Sequence, residues 1–528
     1  MQKIEVIFFN FYLFIPLTYQ FQTSSILIMQ HKITTETRAE LDAKIHAFDA
    51  FVEKAGLDKK PHQRTGVQWM LKREILKNTL QNVHGGLIAD EMGLGKTIQV
   101  IGAIISNFKD RTLIVLPLAL LDQWRQQILK FTGHNCLVWH GSAKNSISIE
   151  ELIAAPIVLT TYGHIQAHKD EANKNLLHRI PWDRVVFDEA HHLRNPVTRT
   201  HRGALQIQAP IRWLVTGTPI QNRKTDFFAL CAVMGYPKDY YMSCSNETIL
   251  EIAEWSLLKR TKEQVGIELP NLNEENILVD WENDDECMLA EDIHGLLSFA
   301  EVRTDRQTNA AIAALGSSVL PTLVRCRQSC VYPKLMKRAI AKLEKVGLID
   351  ADEYDLDSAT NASSKLDAVC SKIIERKDNQ RSKLIFCHYR GEIDKISRTL
   401  QDAGMKVAVF DGRTNYAQRQ EILEDHSLDA LILQIMTGSE GLNLQHFKEI
   451  YFVSPHWNPA VEDQAVARCH RIGQLDKVDI FRFTMAGFDD NGMTRTLDKY
   501  ASEVQDSKRS MYNIVDDSNE KTPDAVPE

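Results

Sequence analysis

The chain has 528 residues, of which 44% are hydrophobic and 25% are charged, and its mean hydropathy is -0.27. A polypeptide of this length and composition can bury several hydrophobic cores, which excludes a disordered chain, a collagen and a multi-spanning membrane protein. Two or three domains are expected. Taken as a total, the formal net charge of -8 argues against a protein that coats nucleic acid.

The acidic residues, however, are concentrated in two stretches. Residues 274–306 contain eleven Asp and Glu against two Arg, and residues 487–528 contain ten acidic residues against five basic ones. The rest of the chain therefore carries a small positive excess, which is compatible with a polyanionic partner.

The nine cysteines include no C-x-x-C pair. This spacing predicts neither a disulfide framework nor a zinc ribbon or RING domain, so we expect no structural zinc. A chain with unpaired cysteines also indicates a reducing compartment.

Residues 1–28 form an apolar leader that has three interpretations. Its most apolar run, Val6 to Leu17, is about 12 residues long, whereas a membrane-spanning helix needs about 20. The leader is a signal peptide or anchor, a segment packed on the body, or a translated stretch upstream of a start at Met29. The last two are favoured over membrane insertion because no small-residue cleavage site follows cleanly.

Residues 29–60 are predicted to contain one amphipathic N-terminal helix, and residues 61–270 alternate short apolar runs with helical stretches. The apolar runs are GGLIAD (85–90), TLIVLP (112–117), PIVLTTY (156–162), RVVFDEAH (184–191) and RWLVTGTP (212–219). Continuous apolar runs between helices predict a parallel sheet that is covered on both faces.

The alternation stops at residues 271–365, which are predicted to form an acidic helical insertion followed by a polar linker. Strand-length runs return in residues 366–486 as KLIFCHY (383–389), KVAVFDG (406–412), LILQIMTG (431–438), EIYFVSP (449–455) and VDIFRFTM (478–485). Residues 487–528 are an acidic tail with a helix expected around 495–504. The predicted fold is α/β, with two doubly wound parallel-sheet lobes separated by a helical insertion.

The segment DEMGLGKT follows a predicted strand and opens a predicted helix. Glycines let backbone N–H groups approach phosphates, a lysine neutralises the β- and γ-phosphates, and a hydroxyl at the helix N-terminus binds Mg²⁺. The strict pattern G-x-x-x-x-G-K-T is not met, because an aspartate stands at the first glycine position. The residues expected to bind the nucleotide are Asp90, Glu91, Met92, Gly93, Leu94, Gly95, Lys96 and Thr97.

A second motif, VVFDEAHH, predicts a strand that ends in Asp188 and Glu189. Ligands bind at the carboxyl edge of such sheets. Asp188 would hold Mg²⁺ through its water shell, together with the Thr97 hydroxyl, and Glu189 would orient the attacking water. An acidic pair that caps a helix is the alternative. His191 and His192 point in different directions, which favours a coupling or structural role over metal binding.

Four motifs in chain order resemble those of the SWI/SNF-type helicase-like ATPases of helicase superfamily 2. They are DEMGLGKT (90–97), DEAH (188–191), LVTGTPIQN (214–222) and ARCHRIGQ (467–474), and supporting matches extend the resemblance over about residues 61–486. The motifs are most similar to the branch of Lodestar and the DNA-damage-tolerance translocases, although this chain lacks their RING. The resemblance implies two RecA-like lobes, with ATP and Mg²⁺ as cofactors.

The resemblance also implies roles for three further residues. Gln63 matches the glutamine that reads the adenine edge, and a solvated amide at a helix start is the alternative. Arg468 and Arg471, three residues apart on one helix face, match the arginine fingers that the second lobe presents to the γ-phosphate. Guanidinium groups stay charged and fork onto phosphate oxygens, although an arginine pair on a solvated helix is the alternative.

DNA contacts are expected to involve the phosphate backbone, because an engine that tracks any sequence needs sequence-independent contacts. The motif around Thr437 departs from the family pattern, which has Ala-Gly-Gly where this chain has Thr437, Gly438 and Ser439. Ordinary turn and cap residues are the alternative interpretation of such positions. The positions to which the resemblance points are Trp124, Arg125, Thr160, Thr161, Thr437 and Gln445.

The resulting functional hypothesis is a double-stranded-DNA-stimulated ATPase that translocates on DNA and remodels protein–DNA complexes without separating strands. An RNA helicase of the DEAH type and a non-catalytic scaffold with this fold are the alternatives. We expect protein partners that supply targeting and no membrane association. A nuclear location follows only from the family analogy, with the host nucleus or cytoplasm expected for a viral protein.

Overall fold

The structure is a computed structural model. It describes residues 34–76, 79–167, 175–217, 224–242, 246–296, 319–345, 347–349, 353–435, 442, 444–471, 473–488 and 495–506. The leader 1–28 and the end of the acidic tail lie outside the described residues. The described residues up to Glu268 form one compact unit, and those from Leu269 onward form a second.

The first unit is built on a seven-stranded sheet in which every pairing is parallel. The order across the sheet is β3-β4-β2-β5-β6-β1-β7. The strands are β1 (His84–Ile88), β2 (Thr112–Leu116), β3 (Leu137–Trp139), β4 (Ile157–Thr161), β5 (Arg184–Asp188), β6 (Ile211–Val215) and β7 (Leu257–Leu258). The five predicted strands are present, and the short edge strands β3 and β7 were not predicted.

Helices connect these strands. They are α1 (Thr35–Lys54), α2 (Pro61–Ile75), α3 (Lys96–Ser106), α4 (Leu121–Thr132), α5 (Ile149–Ala154), α6 (Leu176–Arg179), α7 (Arg199–Gln206), α8 (Lys224–Met234), α9 (Lys238–Met242) and α10 (Asn246–Ser256). Local sequence sets their ends. The Thr34 hydroxyl accepts the Thr37 N–H at the start of α1, and Gly133 ends α4 in the left-handed conformation that glycine adopts without strain.

Alternate residues of each central strand enter different hydrophobic cores. Leu113 and Val115 of β2 face one core, and Ile114 and Leu116 face the other. Both faces of the sheet are therefore covered, as the continuous apolar runs predicted.

The second unit contains a six-stranded, all-parallel sheet in the order β10-β11-β9-β12-β13-β8. Its strands are β8 (Leu272–Val279), β9 (Lys383–Cys387), β10 (Val407–Phe410), β11 (Ala430–Gln434), β12 (Glu449–Phe452) and β13 (Val478–Met485). Its helices are α11 (Asp284–Gly295), α12 (Val319–Val331), α13 (Lys337–Lys345), α14 (Leu356–Asn361), α15 (Ser364–Glu375), α16 (Arg390–Asp402), α17 (Tyr416–Glu424) and α18 (Pro459–Cys469), followed by a tail helix at 497–506. The two α/β lobes of the predicted fold are confirmed.

The expected helical insertion needs one correction. Its first residues form β8, which pairs with β13 over eight residues and so belongs to the second sheet. Most side chains of β8, including Glu274 and Glu275, are exposed. An edge strand tolerates charged residues because only one of its edges is paired, and such charges also block pairing with other chains. Because its sequence is polar, β8 was not predicted as a strand.

Candidate nucleotide-binding site

Three neighbouring strands of the first sheet bring the predicted motifs together. β1, β6 and β5 are adjacent, and their last residues are in register: Ile88 pairs with Val215, and Val215 pairs with Asp188. The phosphate loop follows β1, the Thr216-Gly217 segment follows β6, and Asp188 ends β5. Motifs spread over residues 90–217 of the chain thus share one sheet edge, where α/β folds bind ligands.

The phosphate loop leads directly into helix α3, which begins at Lys96. Gly93 and Gly95 have φ angles of 93° and 81°, in the left-handed region that glycine enters without strain. The Lys96 ammonium donates to the Asp90 carbonyl oxygen at 2.7 Å. A Cβ atom built on Gly217 would lie 3.6 Å from Lys96 Nζ, so the segment after β6 reaches the same lysine.

Asp188 is buried at the end of β5 and is held by three neighbours. Trp124 Nε1 donates to its Oδ2 at 2.7 Å, the Glu189 N–H donates to its Oδ1 at 3.0 Å, and the Tyr162 hydroxyl donates to its carbonyl oxygen at 2.6 Å. Burial, followed by the neighbouring charge of Glu189, raises the pKa of Asp188 to about 6. The hydrogen bonds and the positive charge of Lys96 act in the opposite direction.

Glu189 has a left-handed backbone with φ 50° and ψ 50°. A non-glycine residue in this region is strained, and such strain clusters at functional sites. Its carboxylate lies 3.3 Å from His191 Nδ1, and the same nitrogen lies 3.4 Å from the Thr216 hydroxyl. His191 therefore bridges the segments after β5 and β6, and the coupling or structural role expected for it stays a prediction.

The Asp188 and Thr97 oxygens are the kind of ligand that Mg²⁺ takes. Mg²⁺ is a hard cation that uses one or two protein oxygens and completes its shell with phosphate oxygens and water. The Asp188 carboxylate stands at the sheet edge, and Thr97 is the second residue of α3, directly after Lys96. The residues present fit a magnesium ion held jointly by the protein and a nucleotide.

Gln63 and His62 of α2 lie against the phosphate loop. Gln63 Nε2 donates to the Leu94 carbonyl oxygen at 3.2 Å, and His62 Nε2 lies 3.0 Å from the same oxygen. A Cβ atom on Gly95 would lie 2.2 Å from Gln63 Nε2, which shows how closely this amide approaches. Gln63 is only 8% exposed, so the alternative of a solvated amide is wrong.

The side chains of Asp90 and Glu91 are engaged by two cations that sequence reasoning missed. Arg260 forms a bidentate pair with Asp90, and Lys262 lies 2.6 Å from Glu91. The two acids were expected among the residues that bind the nucleotide, but their carboxylates are occupied by these partners. The motif LKRTKEQVGIELP, which contains both cations, was the available signal, although its spacing does not show what it contacts.

In the second unit, Arg468 lies in the last turn of α18 and Arg471 in the turn after it, so the prediction that both lie on one helix face is wrong. Burial lowers the pKa of Arg471, and the charge of Arg468 lowers it further, so the two guanidinium groups lie close enough to repel each other. Two adjacent cations suit a multiply charged anion. The turn is fixed by His470 Nε2, 2.6 Å from the Pro270 carbonyl oxygen, and by Gln474, which donates to the Gln445 carbonyl oxygen at 2.8 Å.

The structure contradicts three of the DNA-contact positions that the resemblance implies. Trp124 is 1% exposed and serves Asp188, and Thr160 is fully buried with its hydroxyl bonded to the Trp139 carbonyl oxygen. Thr161 is also buried. Positions inside a core cannot present surface to a duplex.

The other predicted DNA-contact positions are not in the core or lie outside the described residues. Arg125 is exposed, with its Nε 3.5 Å from Asp122. Gln445 is partly buried next to Gly473. Thr437 lies outside the described residues.

Within the described part of the chain, no group of three or more His, Cys, Asp or Glu side chains is arranged to hold a metal ion. None of the helices described is both long and apolar enough to cross a membrane.

Comparison with known protein families gives two matches. A family model described as the SNF2-related domain matches residues 62–335, and one described as the helicase conserved C-terminal domain matches residues 364–473. Together they cover both α/β units.

Individual relatives come from viruses and cells. The chain is 29% identical over 477 residues to the probable global transactivator of Orgyia pseudotsugata multicapsid polyhedrosis virus, covering 86% of this chain and 91% of that protein. It is 26% identical over 513 residues to the DNA excision repair protein ERCC-6-like of Danio rerio, and 26% identical over 472 residues to the ATP-dependent DNA helicase DDM1 of Arabidopsis thaliana. These two alignments each cover 81% of this chain, but only 34% and 59% of the relatives.

Among solved structures, the chain is similar to the Sulfolobus solfataricus SWI2/SNF2 ATPase core in complex with dsDNA. The identity is 22%, the TM-score is 0.36, and the match covers 87% of this chain and 92% of the other.

Proposed function

This chain belongs to the SNF2-related family of helicase-like ATPases and is an ATP hydrolase, and from that premise we propose that it is a translocase stimulated by double-stranded DNA. It uses ATP hydrolysis to move along the duplex and to remodel or displace protein–DNA complexes, without separating the strands.

One observation carries the assignment of the catalytic site. Lys96 follows β1 through the phosphate loop, Asp188 and Glu189 stand at the carboxyl end of β5, and β6 lies between these two strands, with Gly217 of the segment after β6 close to the lysine. A phosphate-binding lysine beside two carboxylates is the arrangement that phosphoryl transfer needs, because that reaction depends on positioning and charge neutralisation.

The roles follow from where each group stands. The Lys96 ammonium binds the β- and γ-phosphates, while the N–H groups at the start of α3 face the same anion. Glu189 orients the attacking water, and its contact with His191 holds the carboxylate in position. Thr97 and Asp188 would hold Mg²⁺, which when bound neutralises charge on the phosphate oxygens.

Arg468 and Arg471 are proposed to stabilise the charge that develops on the γ-phosphate. The Arg471 guanidinium is desolvated and lies close to the charge of Arg468, and an incoming phosphate would relieve their mutual repulsion. Their engagement only with nucleotide would make the cycle depend on ATP and its hydrolysis.

DNA as the substrate is supported by the names of relatives and by the charge of this chain. ERCC-6-like is a DNA excision repair protein and DDM1 is a DNA helicase. Outside its two acidic stretches this chain has a positive excess, which suits contacts with the phosphate backbone. We further propose that protein partners direct it to its target and that it acts in a nucleus, with a host nucleus or cytoplasm for a viral protein.

The test is ATP turnover by the full chain without nucleic acid, and with double-stranded DNA, single-stranded DNA or RNA. We expect double-stranded DNA to stimulate most, and the Lys96→Ala variant to show no turnover under any condition. A triplex-displacement assay then reports translocation on the duplex. Stimulation by RNA alone would show an RNA helicase, and absence of turnover in the unmodified chain would show a scaffold.

A further inference from the structure

Arg260 binds the first residue of the phosphate loop. It lies two residues after β7, and its guanidinium forks onto Asp90, with Nε 3.0 Å from Oδ1 and Nη2 2.5 Å from Oδ2. Asp90 is completely buried and stands at the position where the strict phosphate-loop motif has glycine. The carboxylate is thus an anchor point for Arg260, and its negative charge is neutralised beside a site for polyphosphate.

The same guanidinium also reaches the two helices that flank the loop. Nη1 donates to the His62 carbonyl oxygen at 2.5 Å and to the Thr65 hydroxyl at 3.0 Å, both on α2. Nη2 donates to Gln99 Oε1 on α3 at 3.1 Å, and Gln99 Nε2 donates in turn to Asp90 at 3.0 Å. One side chain therefore joins the loop, the helix that carries Gln63 and the helix that begins at Lys96.

Lys262 binds the next residue of the phosphate loop, Glu91, in a similar way. Its ammonium and its backbone N–H both donate to the Glu91 carboxylate, at 2.6 and 2.7 Å. Between the two cations, the Glu91 N–H donates to the Arg260 carbonyl oxygen at 2.9 Å. The first half of the loop is therefore fixed by side chains and backbone of the segment that continues into the second unit at Leu269.

We propose that Arg260 and Lys262 are positioning residues for ATP hydrolysis. They hold residues 90 and 91 of the phosphate loop against α2, so that the loop is pre-formed for the nucleotide phosphates and Gln63 keeps its place beside Leu94. This assignment rests on the proposed nucleotide site. When the loop is already ordered, nucleotide binding does not have to supply the entropic cost of ordering it. Loss of these contacts should therefore weaken the affinity for ATP.

The experiment compares KM and kcat for ATP in single variants of the full chain. We expect Arg260→Gln to raise KM about tenfold while kcat changes less than about threefold, because Lys96, Asp188 and Glu189 are untouched. Arg260→Lys should not restore KM, since an ammonium cannot fork onto a carboxylate. The control is Lys259→Gln, which removes the adjacent exposed cation and should leave both constants unchanged.

A double-mutant cycle separates positioning from general loss of structure. Arg260→Gln leaves the buried Asp90 carboxylate without its cation, so Asp90→Asn and the combined variant are also measured. If the pair acts as a unit, the KM of the combined variant stays within about threefold of either single variant. Multiplied losses in KM would overturn the proposal, as would an unchanged KM in folded Arg260→Gln protein.

The Lys96→Ala variant distinguishes a wrong nucleotide site from a wrong role for Arg260. Normal turnover in Lys96→Ala would show that the nucleotide site itself is misassigned. Loss of turnover in Lys96→Ala with unaltered kinetics in Arg260→Gln would overturn only the role of Arg260.

Discussion

Strand β5 begins and ends with a buried charged residue, and its two ends differ in how those charges are used. Arg184 at the amino end is 1% exposed, and its guanidinium forks onto Glu74 at 2.8 and 2.5 Å. Asp188 at the carboxyl end is 7% exposed and has no comparable cation in bidentate contact among the described residues. The amino end is an internally neutralised ion pair, whereas the carboxylate at the carboxyl end is the one that we propose to bind a ligand.

At each end of β5 a buried tryptophan donates a hydrogen bond to the carboxylate. Trp213 Nε1 donates to Glu74 at 2.8 Å, and Trp124 Nε1 donates to Asp188 at 2.7 Å. The same donor type thus supports a structural carboxylate at one edge of the sheet and the proposed catalytic one at the other. Burial and hydrogen bonding alone do not distinguish the two carboxylates; the neighbours Lys96 and Glu189 support the proposed role of Asp188.

The largest expected effect is at the carboxyl end. Glu189→Gln should lower kcat by about 10²- to 10⁴-fold, because the amide cannot accept a proton or orient water as the carboxylate does. ATP binding, measured with a fluorescent analogue, should change little. Glu150→Gln, on the exposed first turn of α5, is the matched control and should retain full turnover. Near-normal turnover in Glu189→Gln would remove Glu189 from its assigned role.

At the amino end the expected effect is on stability. Arg184→Met leaves Glu74 buried without its cation and should lower the free energy of unfolding by about 3–5 kcal/mol in chemical denaturation. KM for ATP in the folded fraction should not change. Arg111→Met removes a half-exposed partner of Asp183 next to the same strand and should cost at most about 1 kcal/mol. Equal losses in the two variants would contradict the assigned role of burial.

The smallest effect separates the two tryptophans. Trp124→Phe and Trp213→Phe each remove one N–H donor and some core volume, so both should destabilise the first unit. Only Trp124→Phe should raise the Mg²⁺ concentration for half-maximal turnover, by about tenfold, because outer partners of a metal-binding carboxylate tune its affinity. An identical Mg²⁺ dependence in both variants would show that Trp124 is structural only.

Most of the lobe architecture could be predicted because it depends on local pattern. Uninterrupted apolar runs such as 113–116 are typical of strands buried on both faces of a sheet, and glycines before Lys96 indicate a tight turn into a helix. Strand β8 was not predicted because the exposed side chains of an edge strand need not be apolar. Thr160 and Thr161 were mistaken for surface residues because a hydroxyl side chain is compatible with both turns and strand ends.

The sequence by itself determined the family and the two parallel-sheet lobes, and it predicted Lys96, Asp188 and Glu189 as catalytic residues. Only the tertiary structure decided which side chains contact the residues of the site. Arg260 pairs with Asp90, Trp124 donates to Asp188, and His191 lies between Glu189 and Thr216. Sequence patterns report the period and polarity of neighbours along the chain. Contacts between residues 170 positions apart, as between Asp90 and Arg260, depend on strand order, which local patterns do not encode.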